Sequence, residues 1–316
     1  MLEDLREHIP HGWDCQFDAS VHEDQLSATI STWKPNVVFT RLGLYFNRTC
    51  FEASAALKLV ATPTTGLDHI DLEAGRACGV EIVSLRGQTS LLRTVTSTAE
   101  HAWALLLAAS RSLPESAQRP ITGNWSRSGL NIHQLAGKQL GLIGIGRLGV
   151  MLAEYGRAFQ MKVVATDPRS DAISVPDFVD IVNIKELLIK SDYLILAASY
   201  SHGDSPILRP EHFDMLKSGV ILVNISRGEL IDEEALAHAL KTGVVRSAGL
   251  DVLTGDSRWA HKITGQSPLL ELAKVNGQVI VTPHTGGYAI EAVMTTRRFL
   301  IEQVANWFSK NPVEEL

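Results

Sequence analysis

Three polar residues, Arg227, Asp256 and His284, stand near the ends of apolar runs of strand length, where an open α/β sheet binds its ligands. Arg227, in VNISRGELIDEEAL, follows the run Val220 to Asn224, and its planar fork can hold a carboxylate and a neighbouring carbonyl oxygen together. His284, in VTPHTGG, closes the run Val279 to Thr282 and precedes two glycines that leave its ring approachable. Imidazole is the natural general acid and base near neutral pH, because it can give a proton to the alkoxide formed when hydride reaches a carbonyl carbon. Asp256, in GLDVLTGDSRWAH, is expected beside His284, where it would hold the tautomer and favour the imidazolium through a charge-assisted hydrogen bond. Each has a plainer alternative. Arg227 reads equally as a surface residue ahead of a helix beginning near Asp232, Asp256 as a solvated loop acid, and His284 as one of eleven histidines, most of which only hydrogen-bond.

The carrier of that hydride is written in the stretch Lys138 to Asp167, KQLGLIGIGRLGVMLAEYGRAFQMKVVATD. An apolar run, Leu140 to Ile145, leads into Gly144, Gly146 and Gly149, which give G-x-G-x-x-G before a helical pattern in Val150, Leu152, Ala153 and Phe159. In such a unit the first glycine permits the tight turn, the second lets backbone approach a pyrophosphate, and the third lets helix and strand pack closely. The phosphates are expected on the free N–H groups of the first helical turn, around Arg147 and Leu148. A second strand, Met161 to Thr166, ends at Asp167, 18 positions after Gly149. A carboxylate there accepts from the adenosine ribose hydroxyls and repels a 2′-phosphate, so the spacing predicts NAD rather than NADP, with Arg169 as the one feature that softens the preference. Asp251, nearer the end of its strand than Asp256, is a second carboxylate placed to face the nicotinamide carboxamide.

Alternating strand and helix patterns must position these residues. Asn36 to Thr40, a helical segment near Phe51 to Leu57, Leu59 to Ala61, a helix over Asp71 to Cys78 and Glu81 to Val83 predict one lobe with a parallel sheet. A buried helix is expected at Thr98 to Ser110, then an irregular arm from Leu113 to Gln134 suited to a connector or subunit contact. Strands at Tyr193 to Ala197, Val220 to Asn224, Ser247 to Leu250 and Val279 to Thr282 complete a doubly wound sheet, and Ala289 to Lys310 reads as a long amphipathic helix returning to the first lobe. The fold class is therefore α/β with two Rossmann-like lobes. An NAD domain over 96–287 is inserted in a smaller flavodoxin-like substrate domain over 1–95 plus 288–316. The chain opens on a helical pattern where such a lobe would open with a strand, so an edge strand is absent or lies upstream.

Length and charge set the outer limits. With 316 residues, 45% of them hydrophobic, two cores are the better expectation. A net charge of −6 gives no electrostatic reason to bind nucleic acid or an anionic membrane, so the expected partner is a small molecule. Cys15, Cys50 and Cys78 are odd in number and widely separated, which indicates neither a disulfide framework nor a zinc site and fits the cytoplasm. No apolar stretch has the length of a membrane span.

The segments TTGLDHIDL, LGLIGIGRLG, SRGELIDEEAL, AGLDVL and TPHTGG occur in the order found in the D-isomer-specific 2-hydroxyacid dehydrogenases, which the chain resembles over almost its whole length. The resemblance implies hydride transfer between NAD and C2 of a small 2-hydroxy or 2-oxo acid, in a cleft between two lobes, by a homodimer. The family's arginine falls on Arg227 and its histidine on His284. Its acid, usually glutamate, falls on Asp256, five positions after Asp251. Gly66 and Leu67 match the loop whose N–H groups grip the substrate carboxylate, and Thr98 matches a position beside the nicotinamide. Besides the missing opening strand, four features depart from the pattern: the shorter acid at Asp256, Ser257 where proline is common, the long SLRGQTSLLRTVTSTAEH stretch, and ASYSHGDSP after the fourth strand. The long stretch resembles a subgroup seen among sugar- and polysaccharide-related dehydrogenases. An acid beside the histidine argues against a formate dehydrogenase, while a phosphite-oxidising relative would share the triad. The competing reading is an NAD-binding regulatory or scaffold protein of the same fold without turnover.

Overall fold

The computed structural model describes residues 9–311 other than 19, 171–173, 260, 261, 264 and 276, so the opening residues of the N-terminal helical pattern lie outside the described residues. The chain divides into two compact units: Met1–Val95, Asp256–Thr264 and Ala289–Leu316 form one, and Thr96–Gly255 with Gly265–Tyr288 the other.

The first unit runs α1 (Glu23–Trp33), β1 (Val37–Phe39), α2 (Arg48–Glu52), β2 (Leu59–Ala61), α3 (Leu72–Ala77), β3 (Glu81–Val83) and α4 (Thr89–Arg93), and the terminal helix Ile290–Lys310 belongs to it. The three strands pair in parallel in the order β1-β2-β3, with Val37 opposite Leu59 and Leu59 opposite Glu81. Side chains alternate across a strand, and the core obeys that period. Val60 points to Leu26 and Ile30 of α1, Phe51 of α2 and Ala74 of α3. Leu59 and Ala61 point the other way, to Val304 of the terminal helix, with Trp13, Trp307 and Phe308 around them. The helix expected near Phe51 to Leu57 lies earlier, because the Asn47 side chain accepts from Cys50 N and caps α2 at its start.

The second unit opens with α5 (Ser97–Ser110) and α6 (Leu113–Ile121). It continues through β4 (Gln139–Ile143), α7 (Arg147–Ala158), β5 (Lys162–Thr166), β6 (Val179–Ile181), α8 (Ile184–Lys190), β7 (Tyr193–Leu196) and α9 (Pro210–Phe213). It closes with β8 (Val220–Asn224), α10 (Glu233–Thr242), β9 (Val245–Leu250), α11 (Pro268–Val275) and β10 (Val279–Val281), so that the terminal helix is α12. Among the described residues its seven strands are all parallel, in the order β10-β9-β8-β7-β4-β5-β6. β4 lies between β5 and β7, where the winding reverses, and open α/β sheets bind their ligands beyond the carboxyl ends of the strands at such a point. The strands β7 and β8 are buried throughout, as expected where helices cover both faces of a parallel sheet.

Besides α2, the strand β6 and the helix α6 differ from the sequence expectation. The short strand β6 was not foreseen; only Val179 of its three residues is buried, so it carries no apolar run. The arm expected to be irregular is helical over its first nine residues, because Pro114 in the first turn costs no hydrogen bond and Pro120 falls in the last turn. No residue of α6 is buried. No helix among the described residues is long and apolar enough to cross a membrane.

Candidate active site

The glycine-rich turn sits at the reversal point, between the ends of β4 and β7. Gly144 has φ +98°, and a Cβ placed on it would lie 2.8 Å from the backbone of Ala197 and Ala198, so the turn is closed against the chain leaving β7. A Cβ at Gly149 would stand 2.3 Å from the Gly144 carbonyl oxygen, which fixes how closely α7 rides on the turn. Gly146 differs. Its φ is ordinary, and a Cβ there would meet nothing within 4 Å. Packing within the chain therefore does not demand glycine at 146; open space over an uncapped helix start is what a diphosphate needs. Arg147 and Leu148 are the first residues of α7 and are half-buried, and burial lowers the pKa of the Arg147 guanidinium.

Asp167 follows β5 and is 8% exposed. Its Oδ2 accepts from Ile145 N at 3.1 Å and its Oδ1 from Arg169 N at 2.9 Å, tying the end of β5 to the turn. The Arg169 side chain is solvent-exposed, with Nε 3.6 Å from Asp167 Oδ1. The open face at Gly146, the helix start and a carboxylate at the next strand end together fit a dinucleotide.

Arg227 and His284 follow strands on either side of β9, two strand spacings or about 10 Å apart. Arg227 is half-buried and extended, its Nη1 donating to Ser226 O at 2.8 Å and its carbonyl accepting from Asn224 Nδ2 at 2.9 Å. The next residue must be small: a Cβ on Gly228 would come within 2.0 Å of the Leu253 carbonyl carbon. His284 is half-buried and left-handed, φ +53°, with its N–H donating to the carbonyl of Asp251 at 2.9 Å.

Asp251 is 1% exposed and its carboxylate grips the same loop. Oδ1 accepts from Thr282 Oγ1 at 2.7 Å and Thr285 N at 2.8 Å, and Oδ2 from Gly286 N at 2.8 Å. Burial pushes this carboxyl up, but hydrogen bonds from His101, Thr282 and Gly286 outweigh it and hold the pKa below the ordinary value. Thr98, in the first turn of α5, lies against Gly286 and Gly287, whose Cβ positions would be 3.3 Å and 3.9 Å from it. The structure thus gathers Thr98, Asp251 and His284 around one loop. His101 and Ser97, which join them there, carry no local motif that the sequence reading could use.

Asp256 belongs to the other unit. It opens a 3-10 turn, Asp256–Arg258, anchored by Gly43 N donating to Ser257 O at 2.9 Å and by the Arg258 guanidinium stacked 4.3 Å over the Tyr45 ring. Gly66 and Leu67 lie in the same unit, half-buried, on the loop after β2. Thr64 Oγ1 donates to Gly66 O at 2.7 Å, and the fully buried Thr62 and His69 meet at 3.1 Å beneath it. Neither amide N–H of Gly66 and Leu67 finds an acceptor among the described residues.

Residues 103–286 match the model of the D-isomer specific 2-hydroxyacid dehydrogenase NAD binding domain. A D-3-phosphoglycerate dehydrogenase of Mycobacterium tuberculosis is 39% identical over 241 residues, which are 76% of this chain and 43% of that protein. The chain thus spans less than half the length of such curated relatives. A hydroxypyruvate reductase of Thermotoga maritima is 33% identical over 80% of this chain and 78% of its own length. Among solved structures, the D-lactate dehydrogenase of Aquifex aeolicus, complexed with NAD and lactic acid, superposes with a TM-score of 0.77 at 27% identity, covering 94% of this chain and 88% of that one. The chain belongs to the D-isomer specific 2-hydroxyacid dehydrogenase family.

Proposed function

We propose that the protein transfers a hydride between NAD(H) and C2 of a small 2-hydroxy or 2-oxo acid. The observation that carries this is the placement of Arg227 and His284 at the ends of the two strands flanking β9, in the same sheet whose glycine turn leaves Gly146 open to a ligand. The residues that would hold the dinucleotide are Gly144, Gly146, Arg147, Leu148 and Gly149 at the diphosphate, Asp167 at the ribose, and Thr98 and Asp251 toward the nicotinamide end. When bound, NAD supplies the hydride acceptor and NADH the donor.

In this reading Arg227 holds the substrate carboxylate and the C2 oxygen, and the N–H groups of Gly66 and Leu67 bind the carboxylate. In oxidation His284 takes the hydroxyl proton as hydride leaves C2, giving the 2-oxo acid. In reduction it returns the proton to the developing alkoxide. Asp256 favours the imidazolium. The protein works in the cytoplasm as a homodimer, in which the exposed apolar residues of the 113–134 arm, Ile121 and Trp125 among them, are covered.

The test is an NADH-fluorescence screen against a panel of 2-oxo acids, including sugar acids, with NADPH run alongside. On the accepted substrate, His284→Ala is expected to lose turnover by about 10²–10⁴-fold while NADH still binds, and Asp256→Asn to lower the rate and move its pH profile. Unchanged turnover in His284→Ala refutes the assignment of the proton to that residue.

A further inference from the structure

His101 lies on α5, one turn after Ser97, and its role is set by what surrounds its Nε2. That nitrogen is 3.2 Å from Asp251 Oδ1 and 2.9 Å from Thr282 Oγ1. The Thr282 hydroxyl spends its proton on Asp251 Oδ1, at 2.7 Å, so toward His101 its oxygen can only accept. An ionised carboxylate also only accepts. Both partners therefore demand an N–H at Nε2, which fixes the tautomer of His101 whether or not the ring is charged.

The group so held is the one that shapes the His284 loop. Asp251 takes the N–H groups of Thr285 and Gly286 on its carboxylate and that of His284 on its carbonyl. Ser97 Oγ, from the same helix, donates to Gly286 O at 2.6 Å. His284 itself sits at φ +53°, a conformation that a residue with a side chain keeps only where its neighbours over-determine it. We infer that His101 is a positioning residue: through Asp251 it locks the 284–286 backbone and so aims the imidazole of His284. The inference rests on the dehydrogenase reading above for its kinetic consequence, but the clamp itself is a property of the loop.

The experiment compares His101→Leu, His101→Gln, His284→Ala and the double variant His101→Leu/His284→Ala. Readouts are NADH turnover, NADH binding by fluorescence, and hydrogen–deuterium exchange of the 282–288 segment without ligand. Loss of the donor is expected to lower kcat by roughly 10–100-fold, the cost of a misplacement near 1 Å, with NADH affinity within about fivefold. His101→Gln, whose amide reaches the place of Nε2, should recover most of that loss. In the His284→Ala background His101→Leu should cost nothing further, because its effect passes through the missing imidazole. Exchange at 284–286 should quicken in His101→Leu and not in His101→Gln.

Wild-type kcat in His101→Leu, equal loss in the glutamine variant, or a full further loss in the His284→Ala background would each overturn the proposal. If His284→Ala turns over normally, the dehydrogenase reading falls, and the exchange data alone judge the clamp: unchanged protection at 284–286 sinks it. Should His101→Leu not fold, His101→Asn, too short to reach Asp251, takes its place against His101→Gln.

Discussion

Two glycines two positions apart have different physical reasons for being glycine, and a methyl group separates them. At Gly144 a Cβ meets backbone at 2.8 Å on a left-handed residue, so Gly144→Ala strains the fold itself. It should lower unfolding free energy by about 1–3 kcal/mol, read by chemical denaturation. At Gly146 the methyl meets nothing within 4 Å and φ is ordinary. Gly146→Ala should leave the thermal midpoint unchanged and weaken NADH binding tenfold or more, measured by fluorescence titration; equal binding would show that no phosphate approaches there. Asp251 illustrates a third kind of constraint, because its folded pKa is depressed. Ionisation then contributes stability that is complete above the ordinary value of 3.8 and drains away as pH falls through the lower folded value. Denaturation between pH 7 and pH 2 should show this loss in the native protein. It should be absent in Asp251→Asn, which begins less stable at neutral pH.

Helix α6 poses the problem of an element with no core. None of its nine residues is fully buried, while Ile121 and the nearby Trp125 are 77% and 86% exposed. A surface of that kind is expected against a second copy of the chain. Ile121→Glu with Trp125→Glu should convert the proposed dimer to monomer in sedimentation velocity without lowering NADH affinity, and a wild-type sedimentation coefficient that is monomeric, or one unaffected by the change, would remove the arm from an interface. The arm was also where sequence reading lost the structure, since prolines and exposed polar residues concealed a helix. The helix α7, β8 and α12, by contrast, were legible nearly to the residue, because a glycine turn, a continuous apolar run and a 3.6-residue period are local signals. The strand β6 has one buried residue and gives no such signal. Arg227 and His284 were legible as strand-end residues. The clamp from His101 to Asp251 was not, since it joins positions 150 residues apart that no short pattern links. The grouping of Asp256 with the first unit was hidden for the same reason: its turn is anchored on residues 43 and 45.

Over the whole molecule the chain builds two cores and crosses between them repeatedly. The first unit takes its sheet from residues before 84 and its second covering layer from a helix near the C-terminus, so its stability depends on α12 although its strands were completed long before. Val304 is the fully buried link, packed on Leu59 and Ala61 among Trp13, Trp307 and Phe308. Val304→Ala should remove about 1–3 kcal/mol from that unit, as lost transfer energy plus a small cavity. The core of the other unit shares no residue with it, being built on residues such as Leu106, Leu142, Ile195 and Val223. Saturating NADH, at 100 times its Kd, stabilises whatever binds it by about 2.7 kcal/mol. The expected result is therefore asymmetric. Val304→Ala lowers the melting midpoint of the first unit, followed by exchange of β2 amides, while NADH affinity stays within about twofold and NADH still protects β4, β7 and β8. If instead the substitution costs β4 as much protection as β2, the two cores melt together and the nucleotide stabilises both, which would make α12 part of the cofactor site's rigidity rather than of the first lobe alone.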